Sequence, residues 1–171
     1  MPNNSSPIIH QLVMCANLFV QKDGRWLMLK RSSKKTFAPN FVHPVGGKLE
    51  QNEDPLSGAK RELFEEAGMI ATNIRLGAVI LEVVPHKELP VNWLIFHFVG
   101  DYESGETRTT DEGELIWLKP QEILTAQLYP SVHETIRKIL NPKHGPVFAK
   151  FEYDSEGRII QETKQVDGCG R

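Results

Sequence analysis

"GGKLEQNEDPLSGAKRELFEEAGMI", Gly46 to Ile70, holds five glutamates and one aspartate in 25 residues. Three of them, Glu62, Glu65 and Glu66, fall within five positions. Asp54 suits an N-cap, and Pro55 suits the first helical position, where a missing N–H costs nothing. Leu56, Ala59, Leu63 and Ala67, with Phe64 beside them, recur at helical spacing. Gly68 suits the residue that stops a helix. The stretch therefore predicts a loop, a helix and a stop. On that helix Glu62, Glu65 and Glu66 project at i, i+3 and i+4, away from the apolar stripe. Like charges so spaced weaken a helix by roughly a few tenths of a kcal/mol, so the crowding calls for a neutralising partner. Hard oxygen ligands converging above one helix are what Mg²⁺ or Mn²⁺ requires. A cation there turns repulsion into attraction, binds phosphate oxygens and lowers the pKa of a bound water.

A solvated acidic face would account for three such glutamates alone. The residues around them decide otherwise. Gly47 is followed after five residues by Glu53, and after seven more by Arg61-Glu62, Leu63, Glu65-Glu66, Gly68 and Met69. This fills every fixed position of G-x5-E-x7-R-E-U-x-E-E-x-G-U, where U is bulky and apolar. The chain resembles the Nudix hydrolases, and the motif is their complete box. The resemblance implies an α/β/α sandwich with a mixed sheet, hydrolysis of a diphosphate linked to another group, and a divalent cation. That cation would be Mg²⁺, with Mn²⁺ able to substitute. By match to the motif, Glu62, Glu65 and Glu66 would be metal ligands, one of them serving as the base. The carbonyl of Gly46 would be a further ligand. Arg61 would pair with Glu53 and Glu65 and orient the cluster, since a guanidinium engages two carboxylate oxygens at once.

Outward from the motif, residues 11–21 and 26–32 read as strands joined by an Asp-Gly hairpin. Residues 73–84 and 92–102 read as two more strands around a turn at 85–90, and 114–118 as a short one. Pro120 starts a helix that runs to about Leu128, and residues 131–140 form another, with Val132, Ile136, Ile139 and Leu140 on one face. Residues 147–161 read as a closing hairpin turned at Asp154 to Gly157. Hairpins outnumber crossover units, which favours a mixed sheet flanked by helices over a doubly wound parallel one. No repeat or linker divides the chain. One domain over residues 8–162 is expected, with flexible ends at 1–7 and 163–171.

The chain is 40% hydrophobic and 25% charged, with a net charge of −2. No basic field argues for a nucleic-acid polymer. Cys15 and Cys169 form neither a disulfide framework nor a zinc pair, which fits a reducing compartment. With no apolar run of membrane length and no signal-peptide pattern, a cytoplasmic protein is expected, as a monomer or homodimer.

Beyond the box the chain is similar to MutT-type diphosphatases of oxidised purine nucleoside triphosphates. "DEGELIW" resembles a loop that brings a further glutamate to the metal, with Glu112 in that position and Glu114 as the alternative. "LYP", Leu128 to Pro130, matches an aromatic-Pro pair whose ring stacks on the base, here Tyr129. Two aspartates that grip the purine edge in that branch are replaced by Ser131 and Val132. Asn17, Lys30, His43, Gly47, Lys48 and Ser131 are the other candidate substrate contacts. The expectation is a nucleoside triphosphate diphosphatase with only a modest preference for 8-oxo-dGTP over dGTP. ADP-ribose, dinucleoside polyphosphates and NADH stand as alternative substrates, and a non-catalytic nucleotide sensor as an alternative class. His43 and His97 read as structural histidines with satisfied rings.

Overall fold

The Asp-Gly pair sets the first hairpin. Asp23 and Gly24 take positive φ, 50° and 72°, the geometry of a two-residue turn between twisted strands. It folds β1 (Leu12–Lys22) onto β2 (Arg25–Arg31). The computed structural model describes residues 11–36, 38–84, 91–107, 112–141, 143 and 145–166. The turn expected at 85–90 and the expected flexible start at 1–7 lie outside them.

The remaining elements are β3 (Val42–His43), β4 (Val45–Lys48), α1 (Pro55–Ala67), β5 (Met69–Val83), β6 (Asn92–Gly105) and β7 (Gly113–Leu118). After them come α2 (Pro120–Thr125), α3 (Pro130–Ile139), β8 (Val147–Tyr153) and β9 (Ile159–Val166). The sheet runs β3-β2-β1-β6-β5-β8-β9, with β4 beside β1 and β7 beside β2. The pairs β1–β6 and β5–β8 are parallel and the others antiparallel. It is the mixed sheet the alternation of elements implied.

Successive strand residues face opposite sides, and each side of the sheet carries its own core. Ala16, Leu18, Val20, Leu27 and Val45 pack against Ala59, Leu63 and Ala67 of α1. Phe19, Met28, Val42, Ile80 and Phe151 pack against Ile123 of α2 and Val132, Ile136 and Ile139 of α3. Burying one such leucine or isoleucine contributes about 1.5–3 kcal/mol. The result is the α/β/α sandwich of the Nudix resemblance. Among the described residues no helix is long and apolar enough to cross a membrane.

One exposure and three boundaries differ from the sequence reading. Phe64 is 50% exposed rather than part of the buried stripe, because it lies about 100° around the helix from Leu63. β5 starts at Met69, not Asn73; the register shift between Thr72 and Arg75 absorbs Asn73, whose φ is 49°. α2 stops at Thr125, because an extended Ala126 brings Gln127 O to within 2.8 Å of the Val42 N–H. β9 includes residues 163–166, assigned above to a tail. Their backbone pairs with β8, Lys164 opposite Ala149, and polar residues can occupy such an edge strand.

Candidate active site

The helix that carries the glutamates is fixed at both ends. Asp54 Oδ1 accepts from the N–H groups of Leu56 at 3.0 Å and Ser57 at 3.1 Å. Gly68, at φ 66°, donates its N–H to Phe64 O. Between these caps Arg61 is the hub. Its Nε and Nη2 bind the two Glu53 oxygens at 2.9 and 3.0 Å, and Nη2 also reaches Lys48 O at 3.2 Å. Its Nη1 donates to Glu62 Oε1 and Glu65 Oε2, both at 3.0 Å. The pairings with Glu53 and Glu65 were expected; the bond to Glu62 was not. The Arg61 hydrogen bond holds the Glu53 carboxyl below its usual range, and those carboxylates together raise the guanidinium pKa.

Two glycines let β4 come close to this cluster. Gly46 has φ 154° and lies opposite Asn17 in β1. A Cβ on it would strike Ala16 O and the Asn17 side chain. A Cβ on Gly47 would stand 2.5 Å from Glu62 Oε1. The Gly46 N–H instead reaches Glu66. Burial and the neighbouring charges of Glu62 and Glu112 push the Glu66 carboxyl up to about 7, while burial raises Glu62 as well. Glu66 Oε2 is buried and has no hydrogen-bond partner.

These features fit a divalent cation. An orphaned carboxylate oxygen, a second carboxylate against Gly47 and a side-chain-free strand provide hard donors and room. The convergence anticipated from helical spacing is, however, not closed. Among the described residues no three His, Cys, Asp or Glu side chains meet tightly enough to hold a metal ion. The Glu65 side chain is 57% exposed and is drawn with Glu62 onto Arg61, which neutralises them in a cation's place. Of the two glutamates offered for the loop, Glu112 is the one whose charge reaches Glu66. It is salt-bridged to Lys35 at 2.8 Å. Glu114 is exposed and pairs across the sheet with Lys30.

Beyond the cluster, the ring of Tyr129 lies 5.2 Å from that of Phe41 and 5.9 Å from that of His43, forming an aromatic wall. The backbone of Tyr129 is extended just before Pro130 starts α3. Asn17 Nδ2 donates to His97 Nδ1 at 3.3 Å. His43 Nδ1 donates to Pro44 O at 2.7 Å. Neither histidine is fully satisfied, contrary to expectation: Nε2 of each is buried without a partner. Burial pushes His43 down to about 4 and His97 down to about 3. The Lys48 ammonium stands 5.6 Å from the centre of the Trp93 ring.

Two of the candidates do not point into this space. Lys30 is exposed and stands opposite Glu114 and Val42 in the sheet. Ser131 is 1% exposed and gives its hydroxyl to Glu82 Oε1 at 2.5 Å. Arg31, Trp93 and Glu82 were missed. Arg31 is adjacent to Lys30, and a two-residue period does not say which of two neighbouring cations faces a site. Glu82 did leave a signal, a lone charge in the apolar run "AVILEVV" on the same face as Ile80.

A family model described as NUDIX domain matches residues 10–140. The 8-oxo-dGTP diphosphatase of Haemophilus influenzae is 27% identical over 131 residues, 77% of this chain and 93% of that protein. The oxidized purine nucleoside triphosphate hydrolase of Mus musculus is 27% identical over 135 residues, 78% of this chain and 84% of that one. Among solved structures, the mutator MutT protein of Bacillus halodurans superposes with a TM-score of 0.77 at 21% identity. That superposition covers 89% of this chain and 97% of the other, a likeness of fold. The box read from Gly47 to Met69 thus sits inside a family match covering most of the sequence, and the chain belongs to the NUDIX domain family.

Proposed function

We propose that this Nudix hydrolase is a Mg²⁺-dependent nucleoside triphosphate diphosphatase, releasing a monophosphate and pyrophosphate, with 8-oxo-dGTP among its substrates. Nudix hydrolases use divalent metal ions; Mg²⁺ is our assignment for this chain. The observation that carries the reading is the position of Arg31. Its N–H donates to Phe41 O at 2.9 Å, beside the aromatic wall, and its charge reaches Glu66, His43 and Tyr129, which supports reading the carboxylates and the aromatic wall as two ends of one site. Relatives named for oxidised purine nucleotides support the same substrate class.

Gly46, Glu62, Glu65 and Glu66, with Glu112, would hold the cation. When bound, it offsets charge on phosphate oxygens and lowers the pKa of a bound water. Arg61 keeps Glu62 and Glu65 in place and ties the helix to the Glu53 loop. One of the three helix glutamates takes the proton of the attacking water. Arg31 and Lys48 offset phosphate charge from the protein side. Tyr129, with Phe41 and His43, supplies a stacking surface that tolerates any base, since every base has a π-face. A reducing cytoplasm suits the free, buried Cys15.

Product identification across nucleoside triphosphates and ADP-ribose tests the reading. Pyrophosphate and monophosphate from a nucleoside triphosphate are expected. Cleavage of ADP-ribose alone would replace the substrate class, and no cleavage of any nucleotide would favour a sensor.

A further inference from the structure

The sequence offers Ser131 and Val132 where two carboxylates would grip a purine edge. The fold brings a carboxylate to the same region from another element. Glu82 stands near the end of β5, on the face of Ile80 and directly across from Trp93 of β6. Its Oε1 accepts from Ser131 Oγ of α3 at 2.5 Å and from the Tyr153 hydroxyl of β8 at 3.1 Å. Two donors fill the lone-pair positions of that oxygen. Among the described residues Oε2 accepts no hydrogen bond, and it is not one of the sealed, unpartnered atoms. Glu82 is half-buried, so three elements aim one oxygen and, among the described residues, none takes the other.

Ser131 holds this carboxylate two residues along the chain from Tyr129 of the aromatic wall. The Glu82 charge reaches the Tyr129 hydroxyl. Cys15 lies in register with Ile95 and Ile80 across β1, β6 and β5. Cys15 also pairs with Lys48 of β4, and its thiol feels Lys48, Glu62 and Glu82, so the strand floor runs from beside the helix carboxylates to Glu82.

We propose that Glu82 reads the base, its Oε2 accepting hydrogen bonds from the donor edge of a guanine-type purine. An ionised carboxylate only accepts. The guanine edge presents two adjacent donors, N1–H and the 2-amino group. Adenine and cytosine set an acceptor beside their amino group, and thymine flanks one donor with two acceptors. The donor pair is common to dGTP and 8-oxo-dGTP, so Glu82 selects the base type and not its oxidation. Ser131 and Tyr153 are then positioning residues for Glu82, which accounts for a serine that is buried where a base contact was expected.

Because this rests on the nucleotide reading of the site, binding and turnover are measured separately. Calorimetric binding of dGMP and dIMP, and kcat/KM for dGTP and dITP, are compared in wild type, Glu82→Gln and Tyr153→Phe. The inosine nucleotides lack only the 2-amino donor. Wild type should prefer the guanine nucleotide in both assays. Glu82→Gln should weaken dGMP binding by about tenfold to hundredfold, the worth of a hydrogen bond to a charged group. It should weaken dIMP binding less, and Tyr153→Phe should lose part of the same preference. Equal affinity of wild type for dGMP and dIMP, or a preference that survives in Glu82→Gln, overturns the assignment. If Glu82→Gln does not fold, an unchanged preference in Tyr153→Phe overturns it. Guanine-selective binding without turnover would uphold Glu82 and overturn the diphosphatase reading; turnover without selectivity would do the reverse.

Discussion

Ionising Glu66 in the folded chain works against burial and the charges of Glu62 and Glu112, which push its carboxyl up to about 7. An unfolded glutamate releases its proton near ~4.3. Between those values the folded state keeps a proton that the unfolded state has lost, so stability falls as pH rises through the window. Metal-free Glu66→Gln lacks this slope. Its urea midpoint should exceed that of wild type at about pH 8 and approach it near about pH 4; equal midpoints at both would show that Glu66 is not strained. The same variant should lose about a hundredfold or more in kcat. Metal binding should weaken as pH falls below about 7, because ligands must be deprotonated. Gly47→Ala tests the close approach. Its Cβ would meet the Glu62 carboxylate, the far end of a side chain, so the fold should survive while kcat falls about a hundredfold through misplacement. Normal turnover in that variant would remove Glu62 from the site.

Helix α1 joins the chemistry to the fold through Arg61. Replacing it with alanine leaves Glu53, Glu62 and Glu65 facing one another without their common partner. A lower Tm and a loss of about tenfold or more in turnover are expected together. Arg61→Lys should rescue only part of this, since one ammonium cannot replace the two-pronged grip on Glu53; full rescue would mean that charge alone matters. This helix was largely legible in the sequence. Its caps and its buried Ala59, Leu63 and Ala67 follow from local spacing, and the Arg61–Glu53 pair was implied by the match to the Nudix box. The exposure of Phe64 and the early start of β5 were not legible, because tertiary packing and the β5–β6 register set them. Glu82 shows the same limit. Its partners lie 49 and 71 residues away, a distance over which spacing carries no information.

At the scale of the whole molecule, the buried His97 and the half-buried His43 oppose the pH trend of Glu66. Burial lowers His97 to about 3 and His43 to about 4, whereas an unfolded histidine takes its proton near ~6.5. Below that pH the unfolded chain binds protons that the folded chain refuses, so stability falls as pH drops. His97→Gln should lose less stability than wild type between about pH 7 and about pH 5. A variant with the wild-type slope would mean that His97 titrates alike in both states. His43, in β3, is part of the aromatic wall, and His97, in β6, packs beside Phe19 and bonds Asn17. Sheet type, layers and motif were legible because they rest on periodicity and an unbroken box; the contacts of Glu82 were not, because β5, α3 and β8 meet only in the fold. The most direct test is pyrophosphate release from dGTP and 8-oxo-dGTP, with Mg²⁺ and with excess chelator. The account predicts release with Mg²⁺, none in chelator, and little from Glu66→Gln under either condition. Undiminished release in chelator would contradict it.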